Sequence, residues 1–366
     1  MSAEGDTVIP GAEDPMLKVA RAHVDGRTII VPDYKIVFMP IPKVAWTAML
    51  WALTPLVGMS ADDFARSTKP EISPVMAVHD MKIWAAHGFL FRDVDPDRRE
   101  EILADPEWLR FTVVRDPAKR LWSAWQSKIL LQEPLYYGFH RDRPWFPRLP
   151  ENTADVLADF HRFIQAMADG YYTDTKMRDA HWAPQTDAID LLPLNHIGRF
   201  ETVRETHALL QAHVAGQGGP VLHFGRANVN PLPYDRLVYD AASAATVNRI
   251  YTRDFTELGY QPVEVDPDPD FDAWAKQVEP HFPHLRELIG RHQRLYAVVD
   301  SFRREVRAAE KKSERLAKQL ASAEQRQASA RDELERARRR YERVTGSVSW
   351  RLTAPLRWIR SGGRSR

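Results

Sequence analysis

Lys43, Arg115 and Ser123 are the residues of this 366-residue chain whose types and settings could hold phosphate. The first setting is Tyr34-Lys-Ile-Val-Phe-Met-Pro-Ile-Pro-Lys43-Val44-Ala45-Trp46-Thr47-Ala48; the second is Arg110-Phe-Thr-Val-Val-Arg115-Asp-Pro-Ala-Lys-Arg120-Leu-Trp-Ser123. Each is an apolar β-type run that breaks at a proline and turns into helix-forming residues. A strand–turn–helix of this kind aims backbone N–H groups and a basic side chain at one point, which suits phosphate. In the first, Lys43 supplies a point charge, Ala45 keeps the turn close to a ligand, and the N–H groups of residues 45–48 form an anion nest. In the second, Arg115 offers a forked donor at the strand's carboxyl end, and Ser123, two turns into the helix, adds a hydroxyl. Two such turns point to a nucleotide with phosphates at both ends, with Lys43 and Arg115 at opposite ends of one cleft. The Gly-x-x-x-x-Gly-Lys-Ser/Thr spacing of a Walker A loop is missing.

The elements that must carry these residues read as alternating strands and helices. Residues 34–39 read as a buried strand, 44–53 as a helix broken by Pro55, Val75–His79 as a short strand, and 109–114 as another strand. A helix runs from Pro117 to about Leu131 with Pro at its first turn. Residues 133–150, rich in Pro and aromatics, read as an irregular surface loop. Helical patterns follow at 153–168, 203–215 and 237–254, with a strand at His196–Phe200 between them. The alternation predicts an α/β domain with a central parallel sheet and ligands at the carboxyl ends of its strands.

Composition narrows the classes. There is no Cys, which excludes disulfides, zinc–thiolate sites and thiol nucleophiles, and fits a reducing cytoplasm. Met1 to Val31 carries Glu4, Asp6, Glu13 and Asp14 and no apolar centre, so a signal peptide is not expected; no stretch nears the ~20 apolar residues of a spanning helix. The net charge of +1 hides an asymmetry. Residues 286–366 hold 22 basic and 10 acidic groups, leaving the rest of the chain at −11. The basic tail, not the acidic body, is the candidate for anionic surfaces, and no nucleic-acid partner is expected.

After the acidic, Pro-rich stretch Pro262–Asp270 the pattern becomes heptad. One seam is Val299, Val306, Ser313, Leu320, Gln327, Leu334 and Tyr341; the other is Leu295, Phe302, Ala309, Leu316, Ala323, Ala330, Ala337 and Val344. This predicts a coiled coil of roughly 75 Å at 1.5 Å per residue, weakened by its Ala, Ser and Gln positions, and a homodimer through it. The chain divides into a lead-in at 1–33, a catalytic domain at 34–261, a linker at 262–285, a coiled coil at 286–344 and a basic amphipathic tail at 345–366.

Together the two turns resemble the 5′-phosphosulfate and 3′-phosphate motifs of sulfotransferases that use 3′-phosphoadenylyl sulfate. The chain most resembles the carbohydrate sulfotransferases of the HNK-1 and chondroitin 4-O-sulfotransferase type and their bacterial relatives. Ser123-Ala-Trp-Gln-Ser-Lys128 is similar to that family's Ser-Ala-Tyr-x-x-Lys, His181-Trp182 to its His-Trp, and Ile197-Gly-Arg-Phe-Glu201 to its Val-Gly-Lys-Phe-Glu. Ile250-Tyr-x-x-Asp254-Phe resembles its closing Ile-Tyr-x-x-Asp-Tyr segment. Trp46 departs from the pattern, standing where relatives carry Gly, Cys or Thr.

The resemblance implies a P-loop-like three-layer fold, 3′-phosphoadenylyl sulfate as the donor bound by residues 43–48, Arg115 and Ser123, a carbohydrate acceptor and no metal. Lys43 would stabilise the leaving phosphate. A hydroxyl acceptor also needs a base, and His79 occupies the place of a His in the related sequences, with His87 as its rival. His87, His181 and Trp182 are expected at the acceptor, Trp182 offering a face for sugar stacking. The competing classes are a P-loop-like kinase and a non-catalytic coiled-coil assembly factor. Ser347-Val-Ser-Trp-Arg-Leu-Thr-Ala-Pro-Leu-Arg357 resembles endings found in bacterial surface-polysaccharide enzymes. With Trp350, Trp358 and six Arg from Arg343 onwards and no acid, it predicts peripheral contact with the inner face of the cell membrane.

Overall fold

The computed structural model describes residues 15–65, 67, 73–170, 174–225 and 230–360. Within these, β1 (Ile29–Val31), β2 (Ile36–Phe38), β3 (Leu109–Val114) and β4 (His196–Arg199) form one sheet in the order β1-β2-β3-β4. β1 pairs antiparallel with β2, while β2–β3 and β3–β4 are parallel, with Phe38 opposite Phe111 and Val114 opposite Arg199. All six residues of β3 are buried, as expected of a central parallel strand covered on both faces. The exits of β2 and β3 are locked together: Met39 donates its N–H to Phe111 O at 3.0 Å, and the Thr112 hydroxyl donates to Met39 O at 2.6 Å.

The core has two parts. The first surrounds the sheet and includes Ile29, Ile36, Phe38, Phe111, Val113 and Met49. The second contains no strand; Trp122, Trp125, Phe160, Phe163, Trp182 and Tyr251 pack between helices. The expected α/β sheet, mostly parallel, therefore accounts for one part of the core, and a cluster without strands accounts for the other.

Several elements differ from the sequence reading. Val75–His79 is not a strand but lies in a 3-10 helix, Pro74–His79, started by Pro74 and closed by local bonds such as Met76 N–H to Ser73 O. A five-residue apolar run has no periodicity to separate the two states. Residues 133–150 are not wholly irregular: Pro134 starts a helix, Pro134–His140, and Tyr136 and His140, one turn apart, are its buried face. The helix from Pro117 is α-helical to Trp125 and then widens into a π-helical turn over Gln126–Leu130. The pattern at 237–254 divides into Ala241–Ile250 and Thr252–Glu257.

The stretch expected as a lead-in is folded from Pro15 onward, where helix α1 (Pro15–Arg27) precedes β1; residues 1–14 lie outside the described part. The stretch expected as a linker contains the helix Phe271–Val278, and at Phe282 a 65-residue helix, Phe282–Gly346, begins. The chain forms two units, one ending at Val299 and the other starting at Asp300. In the first unit Phe282, Leu285, Ile289 and Val299 are buried, and His292 Nδ1 donates to Leu131 O at 2.7 Å. In the second, Phe302, Val306, Leu316, Leu320 and Leu334 of the heptad seams are exposed in the single chain. Two short helices follow, Val348–Leu352 and Ala354–Arg360; residues 361–366 of the predicted tail lie outside the described part.

Candidate functional site

The turn after β2 is strained where it carries Lys43. Lys43 and Ala45 take left-handed φ of 71° and 65°, two of only four non-glycine residues with positive φ among the described residues. Each costs about 1–2 kcal/mol, and such strain concentrates where backbone must be aimed. Helix α2 (Trp46–Leu53) starts at once, so the N–H groups of its first turn have no partner within the helix. The Lys43 ammonium donates to Ser127 Oγ at 3.0 Å, and among the described residues no carboxylate is paired with it. Burial lowers its pKa to about 7, with the charges of Lys128 and Arg115 adding. A lysine in that state gains most from an arriving anion.

Arg115 leaves β3 at the same carboxyl end of the sheet. Its guanidinium donates to Lys43 O at 3.3 Å and lies 4.6 Å from the centre of the Phe200 ring; its Nε is buried without a partner. The Arg115 guanidinium thus reaches the main chain of the Lys43 turn. Arg115 is framed through its main chain: its N–H donates to Gln185 Oε1 at 3.0 Å, and Gln185 Nε2 donates back to Arg115 O at 2.8 Å. Gln185 is held in turn by Asp254, fully buried, which accepts from Gln185 N–H, Gln185 Nε2, Thr186 N–H and the Thr186 hydroxyl at 2.9–3.2 Å. Glu201 accepts from Asp116 N–H at 3.1 Å and from the Tyr260 hydroxyl at 2.9 Å. Gly198 is required by its neighbour, since a Cβ there would lie 2.0 Å from Thr206 Oγ1. The later sequence blocks are therefore the scaffold of Arg115.

Arg120, 1% exposed, ties the same region together by donating to Pro42 O, Ala183 O and Ala180 O at 2.8–3.1 Å. Ser123 is buried and its hydroxyl donates to Asn230 Oδ1 at 3.0 Å, which brings Asn230 to the site. The π-helical turn presents Ser127 to Lys43 and sets the Lys128 ammonium 5.3 Å from the Tyr136 ring centre; such turns insert a residue and recur at functional sites.

The expected histidines separate. His79 is buried, and its Nε2 lies 2.8 Å from the Thr47 hydroxyl, directly on the turn. His87 is exposed at the end of the helix Met81–Ala86, on the side of Asp63 and away from the turn. His181 stands near Lys43 and Lys128 with Nδ1 2.6 Å from Asp179 Oδ1. Trp182 is fully buried, donates its indole N–H to Met177 O at 2.6 Å, and packs edge-to-face on Tyr136 and Phe163. It is a core residue, and the expectation that it offers a face to a sugar is corrected. Trp46 fits its crowded position by turning inward: its ring meets His79 at 4.3 Å and His23 at 5.4 Å, with the Arg27 guanidinium 5.6 Å from its centre.

His23 and Arg27, both from α1, join the site without any sequence signal, because a short helix before the first strand carries no motif. Arg27 donates to His79 O at 3.2 Å and His23 Nε2 bonds Pro40 O at 2.9 Å. The site thus gathers Arg27, Lys43, Arg115 and Lys128. The nearby carboxylates Asp179, Glu201 and Asp254 are engaged in the bonds above, so the arrangement can bind a compact polyanion. The orphaned Arg115 Nε and the Lys43 ammonium, bonded to the Ser127 hydroxyl, fit a nucleotide carrying terminal phosphate and sulfate groups. Among the described residues no group of three or more His, Asp or Glu side chains is placed to hold a metal ion.

A family model described as the sulfotransferase family matches residues 26–261, a span that holds both turns, the sheet from β1 to β4 and every block that frames Arg115. No curated protein matches the chain, and no solved structure does. With the match covering more than half of the sequence, the chain belongs to the sulfotransferase family.

Proposed function

We propose that this sulfotransferase takes its sulfuryl group from 3′-phosphoadenylyl sulfate and places it on a carbohydrate hydroxyl. The observation that carries the donor is the meeting of the strained Lys43 turn and the Arg115 fork at the carboxyl ends of β2 and β3, with the Arg115 Nε buried without a partner. The donor supplies an activated SO₃ group on a phosphate that leaves. Residues 43–48 hold the phosphosulfate end through the α2 amides, while Arg115 and Ser123, with Asn230, hold the 3′-phosphate. Lys43 meets the charge that grows on the leaving phosphate, so its contribution is largest in the transition state. The site offers two imidazoles to take the hydroxyl proton, His79 and His181.

The carbohydrate acceptor, a surface polysaccharide or glycolipid, is proposed from the likeness of the C-terminal segment to the endings of polysaccharide enzymes. The exposed heptad seams pair two copies of the chain, and the basic Trp350–Arg360 segment rests on the cytoplasmic face of an anionic membrane. Among the described residues no helix is long and apolar enough to cross a membrane. Thermal shift with adenosine 3′,5′-bisphosphate against ATP tests the donor. Stabilisation by the bisphosphate alone supports the reading; stabilisation by ATP alone would favour a kinase, and no response to either a non-catalytic assembly role. Transfer of ³⁵S from labelled donor to fractionated envelope glycans identifies the acceptor.

A further inference from the structure

Facing Lys43 is a hydrogen-bonded group that the donor cradle does not use. Asp179 Oδ1 accepts from His181 Nδ1 at 2.6 Å and from the His181 backbone N–H at 2.8 Å. The Tyr136 hydroxyl donates to Asp179 Oδ2 at 2.7 Å, and its oxygen is 3.0 Å from His181 Nδ1. An ionised carboxylate only accepts, so this contact puts the proton on Nδ1 and leaves the lone pair on Nε2. Among the described residues Nε2 has no hydrogen-bond partner, and the side chain is 23% exposed. Tyr136 and Asp179, on separate elements, fix the ring from two directions.

The charges around this imidazole favour a neutral ring. Burial lowers the His181 pKa to about 4, opposed by Asp179 and reinforced by Lys128 and Lys43; His23, from α1, faces the same ring. Burial alone would raise Asp179, but the His181 and Tyr136 bonds hold its carboxyl well below the usual range. His79 differs, since its Nε2 is already engaged by the Thr47 hydroxyl and its carbonyl by Arg27. That arrangement suits a residue that braces the Lys43 turn.

We infer that His181, oriented by Asp179, is the base that takes the acceptor's proton, an assignment that rests on the transfer reading above. His181 Nε2 receives the proton of the acceptor hydroxyl as that oxygen forms the new O–S bond. The S–O bond to the phosphate breaks, its electron pair leaves on the phosphate oxygen, and Lys43 faces the resulting charge. Asp179 is a positioning residue: it keeps the lone pair on Nε2 and stabilises the imidazolium once formed.

Two kinds of measurement test this. In the free protein, diethyl pyrocarbonate near pH 7 should carbethoxylate His181, read by peptide mass spectrometry, and Asp179→Asn should slow that reaction by disturbing the tautomer. If exposed His87 reacts and His181 does not, no lone pair is available and the assignment falls. With ³⁵S-labelled donor, release to water or to an envelope-glycan fraction should drop about 10²-fold or more in His181→Gln. Bisphosphate affinity by calorimetry should stay near the wild-type value. Asp179→Asn should lower kcat while leaving the donor KM near wild type, and the acid limb of its pH–rate profile should move. A wild-type rate in His181→Gln with loss in His79→Gln would overturn the proposal and make His79 the base. Bisphosphate binding without any release by the wild type would overturn the base alone. Failure of the wild type to bind bisphosphate would remove the donor reading, and the base with it.

Discussion

Donor binding should be coupled to protonation of Lys43. In the free protein its pKa is lowered to about 7, by burial first and then by Lys128 and Arg115. A bound phosphosulfate or phosphate favours the charged form and raises that pKa toward the ordinary value. A rise of about three units corresponds to at most about 4 kcal/mol between charged and neutral lysine. The sign follows directly. Below pH 7 the ammonium is already charged and affinity is flat; above pH 7 binding must first recover the proton, so affinity falls. The charged fraction drops from about one half at pH 7 to about one hundredth at pH 9, a loss of about 50-fold in affinity for adenosine 3′,5′-bisphosphate. Over that interval the ligand's phosphates stay ionised, since their second pKa is about 6. Calorimetry in buffers of different ionisation enthalpy reads the coupled proton directly: about half a proton taken up at pH 7, and about 0.9 at pH 8. Lys43→Arg should abolish the uptake and flatten the profile, because guanidinium does not titrate there. A pH-independent affinity in the wild type, with no proton uptake, would refute the placement of Lys43 against the donor.

Arg115→Ala should weaken bisphosphate binding by about 2–3 kcal/mol, roughly 100-fold by titration calorimetry, because it removes a forked charged donor. Arg120→Met should leave the Pro42, Ala180 and Ala183 carbonyls without their donor, costing about 3 kcal/mol or more and lowering Tm by roughly 5–10 °C. Trp182→Phe should also lower Tm, through the lost indole bond to Met177, while leaving the acceptor KM unchanged; a KM effect without a stability effect would restore Trp182 to the acceptor. A chain ending at Val299 should keep bisphosphate binding, whereas one ending at Leu285 loses buried Ile289 and Val299, about 2 kcal/mol each, and the His292–Leu131 bond, and should unfold at lower temperature in a thermal-shift scan.

The sequence by itself determined the two strand–turn–helix segments that carry Lys43 and Arg115. Their signal is local: an apolar strand, a proline that cannot continue it, a cation, then helix formers, all within about fifteen residues. It likewise set the strand at 109–114, the strand at 196–200 except for Phe200, which opens a 3-10 turn, and the order of blocks that marks the family. What those blocks do was decided only by the tertiary structure. Asp254 serves Arg115 through Gln185, at a separation of 69 residues from that glutamine, and no periodicity encodes such a contact. Trp182 reads as a sugar platform in isolation and is a core residue because Tyr136 and Phe163 close over it. His23 and Arg27 reach the site only because α1 packs beside the Trp46 turn. The pairing of Asp179 and His181 lies within three residues of sequence, yet its meaning depends on Tyr136, some forty residues earlier, fixing the same carboxylate, and on Lys43 facing the same ring. Strand and turn propensities are properties of neighbours in the chain; the environment of an imidazole is a property of neighbours in space.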